Sequence, residues 1–368
     1  MTIYIDVTTA VRWKGHPTGI ARVVENLALS LAIKNSNVQL VGLKDNEILE
    51  YSDELLETHK LAFLKERDIF LSIGANWDIE NYNQLLKGLK SNGVIISVLF
   101  YDVIPILYPY FYGPGFSEIY RLWLIETLEL ADHGFAISAS TKADLANICK
   151  ETGVDIFPID VIRIGDKLPL QVNNEILPVS NVVEIDRFIL AVGTIEYRKN
   201  HSVLLNAYRL IMAEQLCDKA VLPTLVIIGR PGWLDNNILF QIDNDPLLKE
   251  AVVVVSDIND AELDKLYQSC MFTVFPAIYE GWGLPVAESL SYGKQCITSY
   301  SSSMKEIAPE LTRFAHPLKV EEWAEAIVDL TVNSGKLNSE NAAIRENYKI
   351  TSWDQTASLT YEALRKLM

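Results

Sequence analysis

The sequence predicts an α/β protein made of two doubly wound domains, and three observations support this prediction. The chain has 368 residues, which exceeds the size at which one hydrophobic core usually stops growing. Short apolar strands alternate with amphipathic helices in both halves, a pattern typical of parallel sheets that are covered by helices on both faces. Between the halves the alternation stops in a stretch that contains Pro169, Pro178 and little periodicity.

We place the first domain at residues 1–168, the linker at residues 169–185 and the second domain at residues 186–350. In the first domain, β-rich runs predict strands at Ile3–Val7, Val38–Leu43, Ile69–Ser72, Val94–Phe100, Gly134–Ile137 and Val161–Ile164. In the second domain, the same signal predicts strands at Phe188–Val192, Thr224–Ile228, Val252–Val255, Phe272–Phe275 and Gln295–Thr298. Apolar residues at helical spacing predict helices at His201–Glu214, Asp260–Ser269, Leu284–Tyr292 and Val320–Asn333.

The end of the chain predicts one more amphipathic helix, within residues 351–368. Ser352 is a suitable N-cap, and the apolar side chains that follow at helical spacing form a stripe at Ala357, Tyr361, Leu364 and Leu367.

Composition and charge exclude several classes of function. The net charge is −16, which disfavours nucleic acid as a partner and gives no general attraction to an anionic membrane surface. No segment has the roughly 18 uninterrupted apolar residues that span a bilayer. The start, Met1–Asp6, has the pattern of a strand and lacks the basic and apolar regions of a signal peptide. We therefore expect a cytoplasmic protein, and peripheral association with the inner face of the membrane stays open.

The cysteines and histidines do not predict a disulfide framework or a metal site. The four cysteines, Cys149, Cys217, Cys270 and Cys296, are far apart and form no C-x-x-C pair. The five histidines are scattered and have no metal-ligand spacing. The serine run at 301–303 lacks a G-x-S-x-G elbow, so we assign it no nucleophilic role. We expect no cofactor and no metal.

The stretch from Pro276 to Gly293 combines a buried strand end, a glycine-interrupted turn and a helix start near Leu284. Such an arrangement directs backbone N–H groups at an anion, usually a phosphate. Glu280 lies before the turn and Glu288 lies one turn into the helix, so both can accept hydrogen bonds from sugar hydroxyls. The alternative is an ordinary turn with two solvated carboxylates.

Two adjacent cations, Arg198 and Lys199, also follow a strand and precede a helix. Charge-assisted hydrogen bonds from such cations to phosphate contribute about 1.5–3 kcal/mol each. These residues are therefore candidates for neutralising a diphosphate, and a solvated basic turn is the alternative.

In the first domain, Gly19 and Asp102 are candidate site residues. Gly19 turns the chain into a helix and would place backbone N–H groups beside a ligand crevice, although a plain turn is the alternative. Asp102 ends a central strand at its carboxyl edge, which is where open α/β sheets bind ligands.

The segment Tyr279-Glu-Gly-Trp-Gly-Leu-Pro-Val-Ala-Glu288 resembles the signature of the retaining, GT-B-fold glycosyltransferases of family 4. That family carries two Glu separated by seven residues around a Gly-x-Gly-Leu-Pro core. The segments at 191–200, 225–229 and 255–263 follow in the family's order. The resemblance implies a GT-B fold, that is, two Rossmann-like domains that face a cleft. It also implies that the last helix returns to the first domain, the acceptor side, and that the second domain binds the nucleotide sugar.

The resemblance implies a site of two parts, with departures at two positions. The catalytic residues would be Asp102 and Glu280. The donor-binding residues would be Gly19, Arg198, Lys199, Trp282, Gly283, Leu284 and Glu288. The family commonly has a histidine where this chain has Tyr101 and an arginine where it has Thr194. The histidine's role is therefore vacant or taken by the tyrosine, and the phosphate clamp is only partly assigned.

The function that this resemblance implies is transfer of a hexose from a nucleotide diphosphate sugar to a glycan acceptor. Mannose or rhamnose is favoured, in the synthesis of a polysaccharide such as O-antigen. Whether the acceptor is lipid-linked stays open, as does any membrane or polysaccharide-assembly partner. The alternatives are a GT-B-fold nucleotide-sugar epimerase and a catalytically silent subunit that binds a nucleotide sugar or glycan.

Overall fold

The computed structural model describes residues 1–13, 19–45, 47–168, 185–232 and 236–368. They divide into two compact units, of which the first consists of Met1–Pro109, Pro114–Gly165 and Thr351–Met368. The second consists of Tyr110–Gly113 and Asp166–Ile350. Residues 169–184, nearly all of the predicted linker, lie outside the described part of the chain.

The first unit is built on a mixed sheet, which has eight strands among the described residues. They are β1 (Ile3–Asp6), β2 (Val38–Lys44), β3 (Glu47–Tyr51), β4 (Glu57–Leu61), β5 (Ile69–Ser72), β6 (Ile95–Phe100), β7 (His133–Ala136) and β8 (Ile159–Val161). The strand order is β4-β3-β2-β1-β5-β6-β7-β8. The strands β2, β1, β5, β6, β7 and β8 are all parallel to their neighbours in this series. The pairs β2–β3 and β3–β4 are antiparallel.

The helices of this unit begin with α1 (Thr8–Arg12), α2 (Gly19–Lys34), α3 (Tyr82–Ser91), α4 (Ile104–Leu107), α5 (Phe116–Leu130) and α6 (Ala139–Thr152). Local sequence explains both ends of α6. The Ser138 hydroxyl accepts a hydrogen bond from the Thr141 amide at 2.9 Å, and Gly153 ends the helix at φ 74°.

Two predictions for the first sheet were wrong in detail. The hairpin β3–β4 was not predicted, because β4 is largely exposed and lacks the apolar run by which strands were recognised. The last strand was predicted at Val161–Ile164 but pairs over Ile159–Val161. Ile162 and Ile164 are buried outside the strand, so apolar character there reflects packing rather than sheet pairing.

The second unit contains a wholly parallel sheet, with six strands among the described residues. They are β9 (Phe188–Val192), β10 (Thr224–Ile228), β11 (Val252–Val255), β12 (Thr273–Phe275), β13 (Cys296–Ser299) and β14 (Arg313–Ala315), in the order β11-β10-β9-β12-β13-β14. The helices are α7 (His201–Ala213), α8 (Asn236–Asn244), α9 (Pro246–Ala251), α10 (Asp260–Ser269), α11 (Leu284–Ser291), α12 (Val320–Val332) and α13 (Ser334–Asn347).

Alternating side chains of β9 explain why this sheet is covered on both faces. Ile189 and Ala191 belong to one buried apolar cluster, whose helical side includes α7 and α12. Phe188 and Leu190 belong to a second cluster, which includes residues of α10. Because successive residues of a strand point to opposite faces, a continuous apolar strand requires helices on both sides.

The last helix, α14 (Trp353–Arg365), packs within the first unit against α2. Ser352 caps it, since its hydroxyl accepts from the Gln355 amide at 3.1 Å. The Tyr361 hydroxyl donates to the Asn37 side chain at 2.8 Å, and the Thr356 hydroxyl donates to the Arg163 carbonyl at 2.8 Å. This grouping with the first unit is the one that the resemblance implies.

Candidate active site

The candidate site of the second unit begins where β9 and β10 end side by side. A side chain cannot fit at Gly229, because a Cβ there would lie 2.0 Å from the Gly193 carbonyl oxygen. The chain continues from β9 into a short turn at Tyr197–Lys199, and Asn200 ends that turn in the left-handed region at φ 57°. The ends of β9 and β10 thus lie close together, and the Tyr197–Lys199 turn lies beside them at the carboxyl edge of the sheet. Open α/β sheets bind ligands at this edge.

The Tyr197–Lys199 turn is attached to the segment that follows β12. The Ile278 amide donates to the Arg198 carbonyl at 2.9 Å. The Asn200 side chain donates to the carbonyls of Pro276 and Pro317, at 3.1 and 2.7 Å. These bonds hold the two cations against the start of the glycine turn.

Arg198, Lys199 and Glu280 form a largely buried ion-pair cluster. The Glu280 Oε1 atom lies 2.6 Å from both the Arg198 Nη1 atom and the Lys199 Nζ atom. A second carboxylate, that of Glu196, lies 2.7 Å from the Arg198 Nη2 atom. The side chains of the first three are only 11–16% exposed, so the reading of Arg198 and Lys199 as a solvated basic turn does not fit the structure.

The cluster keeps Glu280 ionised. Burial raises the pKa of Glu280, but the charges of Arg198 and Lys199 lower it by more, so that the net pKa lies below its usual value. Burial lowers the pKa of Arg198, and Glu280 and Glu196 more than compensate. Burial, followed by the charge of Lys199, lowers the pKa of His201 to about 4, so that residue is neutral at pH 7. Positive charge is therefore concentrated on Arg198 and Lys199.

Two serines that the sequence reasoning set aside hold the turn around Glu280. The Ser302 hydroxyl accepts from the Glu280 amide at 2.9 Å. The buried Ser303 hydroxyl lies within hydrogen-bonding distance of the carbonyls of Glu280 and Trp282, at 2.9 and 2.7 Å. Neither is a nucleophile in this arrangement. The run of three serines after a strand can be seen in the sequence, but it does not predict a contact with the glycine turn.

The glycine turn leads into α11 through Gly283, which has φ 108° and requires glycine or a strained residue. Trp282 beside it is buried, 6% exposed. In the first turn of α11 the amides of Val286 and Ala287 both donate to the Gly283 carbonyl, at 3.0 and 3.3 Å, and Pro285 has no N–H. Leu284 supplies the remaining amide of that turn, so the helix start offers fewer donors than the sequence pattern indicated.

Glu288 is buried, 3% exposed. Its Oε2 atom accepts a hydrogen bond from the Tyr267 hydroxyl at 2.7 Å. The alternative of solvated carboxylates therefore fits neither Glu280 nor Glu288. Tyr267 was not identified from the sequence, because its position on α10 has the spacing of an ordinary core residue.

Gly19 and Asp102 belong to the first unit. Gly19 is the exposed first residue of α2, and residues 14–18 before it lie outside the described part of the chain. The Asp102 Oδ1 atom accepts from the Ile104 amide at 2.9 Å, and its carbonyl accepts from the Tyr120 hydroxyl at 2.8 Å. Asp102 follows β6 at the carboxyl edge of the sheet, and its role as a site residue stays a prediction.

Tyr101 does not offer its hydroxyl to a ligand. It is 8% exposed and donates to the Ile73 carbonyl at 2.7 Å. Burial raises the pKa of Tyr101, which keeps it protonated. Of the two alternatives for the family's histidine, the structure favours a vacant role. Thr194 is exposed and neutral. Among the residues predicted to bind the nucleotide sugar, only Arg198 and Lys199 therefore carry positive charge.

Replacing Asp102 with Asn is expected to lower turnover by about 10²–10⁴-fold, if the carboxylate acts on the acceptor or on the transition state. An asparagine retains an oxygen that can accept from the Ile104 amide, so the turn into α4 should survive. Steady-state kinetics, with circular dichroism as the check on folding, measures this effect. A folded variant that turns over at the parent rate would remove Asp102 from the site.

A family model matches most of the second unit. Residues 172–349 match the model of the glycosyl transferases group 1 family. The chain carries a glycosyl transferases group 1 domain. This domain contains the ion-pair cluster, the glycine turn and Glu288.

Two curated relatives extend the similarity beyond the group 1 domain. The serotype-specific mannosyltransferase WbdA of Escherichia coli is 25% identical over 373 residues, covering 94% of this chain and 44% of that protein. The O-antigen chain mannosyltransferase B of Escherichia coli is 25% identical over 246 residues, covering 66% of this chain and 63% of that protein. The chain thus spans less than half the length of WbdA.

Solved structures confirm the predicted GT-B class. Sucrose-phosphate synthase from Thermosynechococcus elongatus superposes with a TM-score of 0.71 at 17% identity, covering 100% of this chain and 99% of that one. Anabaena HepE in complex with UDP and glucose superposes with a TM-score of 0.68 at 13% identity, covering all of both chains. Identities this low establish the fold alone.

The described residues provide neither a candidate metal-ion cluster nor a helix that could span a membrane. These residues contain no cluster of three or more His, Cys, Asp or Glu side chains suited to holding a metal ion. None of the helices in the described ranges combines the length and apolar character that crossing a bilayer requires.

Proposed function

We propose that the protein is a retaining glycosyltransferase that transfers a hexose from a nucleotide diphosphate sugar to a glycan acceptor in polysaccharide synthesis. Mannose is the favoured hexose, because the relatives in the preceding comparison are named mannosyltransferases. The name of the second relative also supports O-antigen as the kind of polysaccharide. Rhamnose stays open as an alternative, and so does a lipid-linked acceptor.

The observation that carries this proposal is the largely buried cluster of Arg198, Lys199 and Glu280. Burying two cations is unfavourable unless anions neutralise them, and here a single carboxylate oxygen contacts both. A diphosphate bound at the cluster would supply further negative charge, and the same cations would stabilise it as it leaves the sugar. This chemistry requires preorganised positive charge and no metal.

The carboxylate of Glu280 would then have two roles. Without donor, it holds the two cations in place at the carboxyl edge of the sheet. With donor bound, its negative charge would face the transferred sugar, where positive charge develops at the anomeric carbon in the transition state. Glu288 would accept from the ribose hydroxyls, as its position one turn into α11 predicts.

A donor screen tests the proposed function. GDP-mannose, UDP-glucose and dTDP-rhamnose are each added to the protein, and the melting temperature and the slow hydrolysis of the donor are measured. We expect GDP-mannose to raise the melting temperature and to be hydrolysed slowly. If none of the nucleotide sugars shifts the melting temperature or is consumed, the proposal is wrong.

The same assay distinguishes the two alternatives. An epimerase would produce an isomerised nucleotide sugar without any acceptor. A silent subunit would be stabilised by a nucleotide sugar but would neither hydrolyse nor transfer it. The intact residues Lys199, Glu280 and Glu288 favour an active enzyme, and the vacant histidine role beside Asp102 is the observation that favours a silent one.

Hydrolysis and transfer are expected to continue in EDTA, because the cations of the site would neutralise the diphosphate. The assay compares rates in excess EDTA with rates after addition of Mg²⁺ or Mn²⁺. Complete loss of activity in EDTA and its return with either ion would contradict this prediction.

A further inference from the structure

We propose that Tyr267 is a positioning residue for nucleotide recognition: its buried hydroxyl holds the carboxylate of Glu288 in the orientation that accepts the ribose hydroxyls. This inference rests on the proposed function, because it requires that Glu288 contacts the ribose of the donor. It assigns a role to a side chain that lies outside the glycine turn and outside the ion-pair cluster.

The contact between these two residues is direct and shielded from water. The Tyr267 hydroxyl donates to the Glu288 Oε2 atom at 2.7 Å, and Tyr267 is 0% exposed. A hydrogen bond to a charged acceptor is worth about 1.5–3 kcal/mol, roughly twice a bond between neutral groups. A bond of that strength to the Oε2 atom restricts rotation of the Glu288 carboxylate.

Tyr267 is itself held in one position by neighbouring groups. Its ring stacks on that of Tyr292 with centroids 5.1 Å apart and planes inclined by 8°. The Tyr292 hydroxyl donates to the carboxylate of Asp264, which lies one turn before Tyr267 on α10. The start of α10 is fixed by a capping box between Asn259 and Glu262. The tyrosine therefore connects the capped helix α10 to Glu288 of α11.

The tyrosine also stays a hydrogen-bond donor at all ordinary pH values. Burial, followed by the charge of Glu288, raises the pKa of Tyr267 well above its usual value. Since the hydroxyl keeps its proton, the tyrosine donates to Glu288 and adds no second negative charge beside that carboxylate. Preorganising a ligand-binding side chain in this way lowers the entropic cost of binding.

The test is Tyr267→Phe, with Tyr208→Phe as a matched control. Tyr208 is also 0% exposed and lies in the same unit, but its hydroxyl donates to the Pro223 carbonyl at 2.9 Å, away from Glu288. Each substitution deletes one buried hydroxyl and keeps the ring. Calorimetric titrations use GDP and UDP, and then the 2′-deoxy form of whichever nucleotide binds the parent protein.

We expect Tyr267→Phe to weaken binding of the ribonucleotide about tenfold, whereas Tyr208→Phe leaves it within about twofold of the parent. The ratio between ribonucleotide and 2′-deoxynucleotide affinities should fall in Tyr267→Phe alone. In Glu288→Gln, adding Tyr267→Phe should cause less than a threefold further loss, because the two residues act through one contact.

Equal ribonucleotide affinities in Tyr267→Phe and Tyr208→Phe, with the discrimination ratio unchanged, would overturn the inference. The inference would also be overturned if Tyr267→Phe lowered the ribonucleotide affinity by the same factor in the Glu288→Gln variant as in the parent protein. If the parent binds neither GDP nor UDP, the inference fails. The proposed function fails as well only if the donor screen finds no nucleotide sugar that is bound or consumed, so the two failures are distinguishable.

Discussion

Glu280→Gln is expected to lower kcat by about 10²–10³-fold without weakening the binding of the nucleotide diphosphate. The carboxylate shares one oxygen between Arg198 and Lys199, at 2.6 Å from each. In the free protein this carboxylate competes with a diphosphate for the same cations, so a neutral amide should leave nucleotide affinity unchanged or higher. Once the donor is bound, its diphosphate neutralises the two cations, and the lost charge then matters when positive charge develops on the sugar, which lowers turnover rather than binding.

The measurement combines steady-state kinetics with calorimetric titration of GDP or UDP, whichever binds the parent. Glu196→Gln is the matched control, because Glu196 lies 2.7 Å from the same Arg198 and is similarly buried. The control should retain kcat within about threefold, since Glu280 keeps its contacts with both cations. Glu288→Gln, by contrast, should weaken nucleotide binding. If the Glu280 and Glu288 variants lose nucleotide affinity equally, the two glutamates do not have separate roles.

Lys199→Ala should weaken nucleotide diphosphate binding by about tenfold to more than a hundredfold. One charge-assisted contact with phosphate is worth about 1.5–3 kcal/mol, which converts to that range of affinity. In the free protein, Arg198 still neutralises Glu280, so the loss of the lysine should not unfold the site. Calorimetry with GDP or UDP gives the affinity, and thermal denaturation confirms that the variant is folded.

Lys319→Ala is the matched control for Lys199. Its Nζ atom lies 2.9 Å from Glu322 in the same unit, but the side chain is 61% exposed. An exposed pair of this kind contributes little to stability and nothing to the site. The control should bind the nucleotide as the parent does. A Lys199→Ala variant that also binds as the parent would show that the diphosphate is neutralised elsewhere.

Much of the fold followed from the sequence, because burial on both faces of a parallel sheet leaves a local signal. The strands Phe188–Val192, Thr224–Ile228 and Val252–Val255 lie where continuous apolar runs predicted them. The helix Asp260–Ser269 also has its predicted bounds, since its cap and apolar spacing are local features. The hairpin β3–β4 was missed because an exposed edge strand carries no such run.

Part of the candidate site could also be recognised in the sequence, for a similar reason. The glycine turn, its two glutamates and the Arg198-Lys199 pair are contiguous patterns whose chemistry is visible without a structure. That the two cations and Glu280 meet on one oxygen was not visible, because 81 residues separate Lys199 from Glu280. Their contact depends on the order in which β9 and β12 pair.

The sequence by itself determined the class of the fold, the charged residues of the candidate site and the glycine turn between its two glutamates. Only the tertiary structure decided that Ser302 and Ser303 support this turn and that Tyr267 contacts Glu288. Serine hydroxyls and a core tyrosine have many uses, and nothing in their neighbours along the chain distinguishes these uses. Their partners lie on other segments. The parallel pairing of β12 and β13 brings the serines to the turn, and the hydrogen bond from Tyr267 to Glu288 joins α10 to α11.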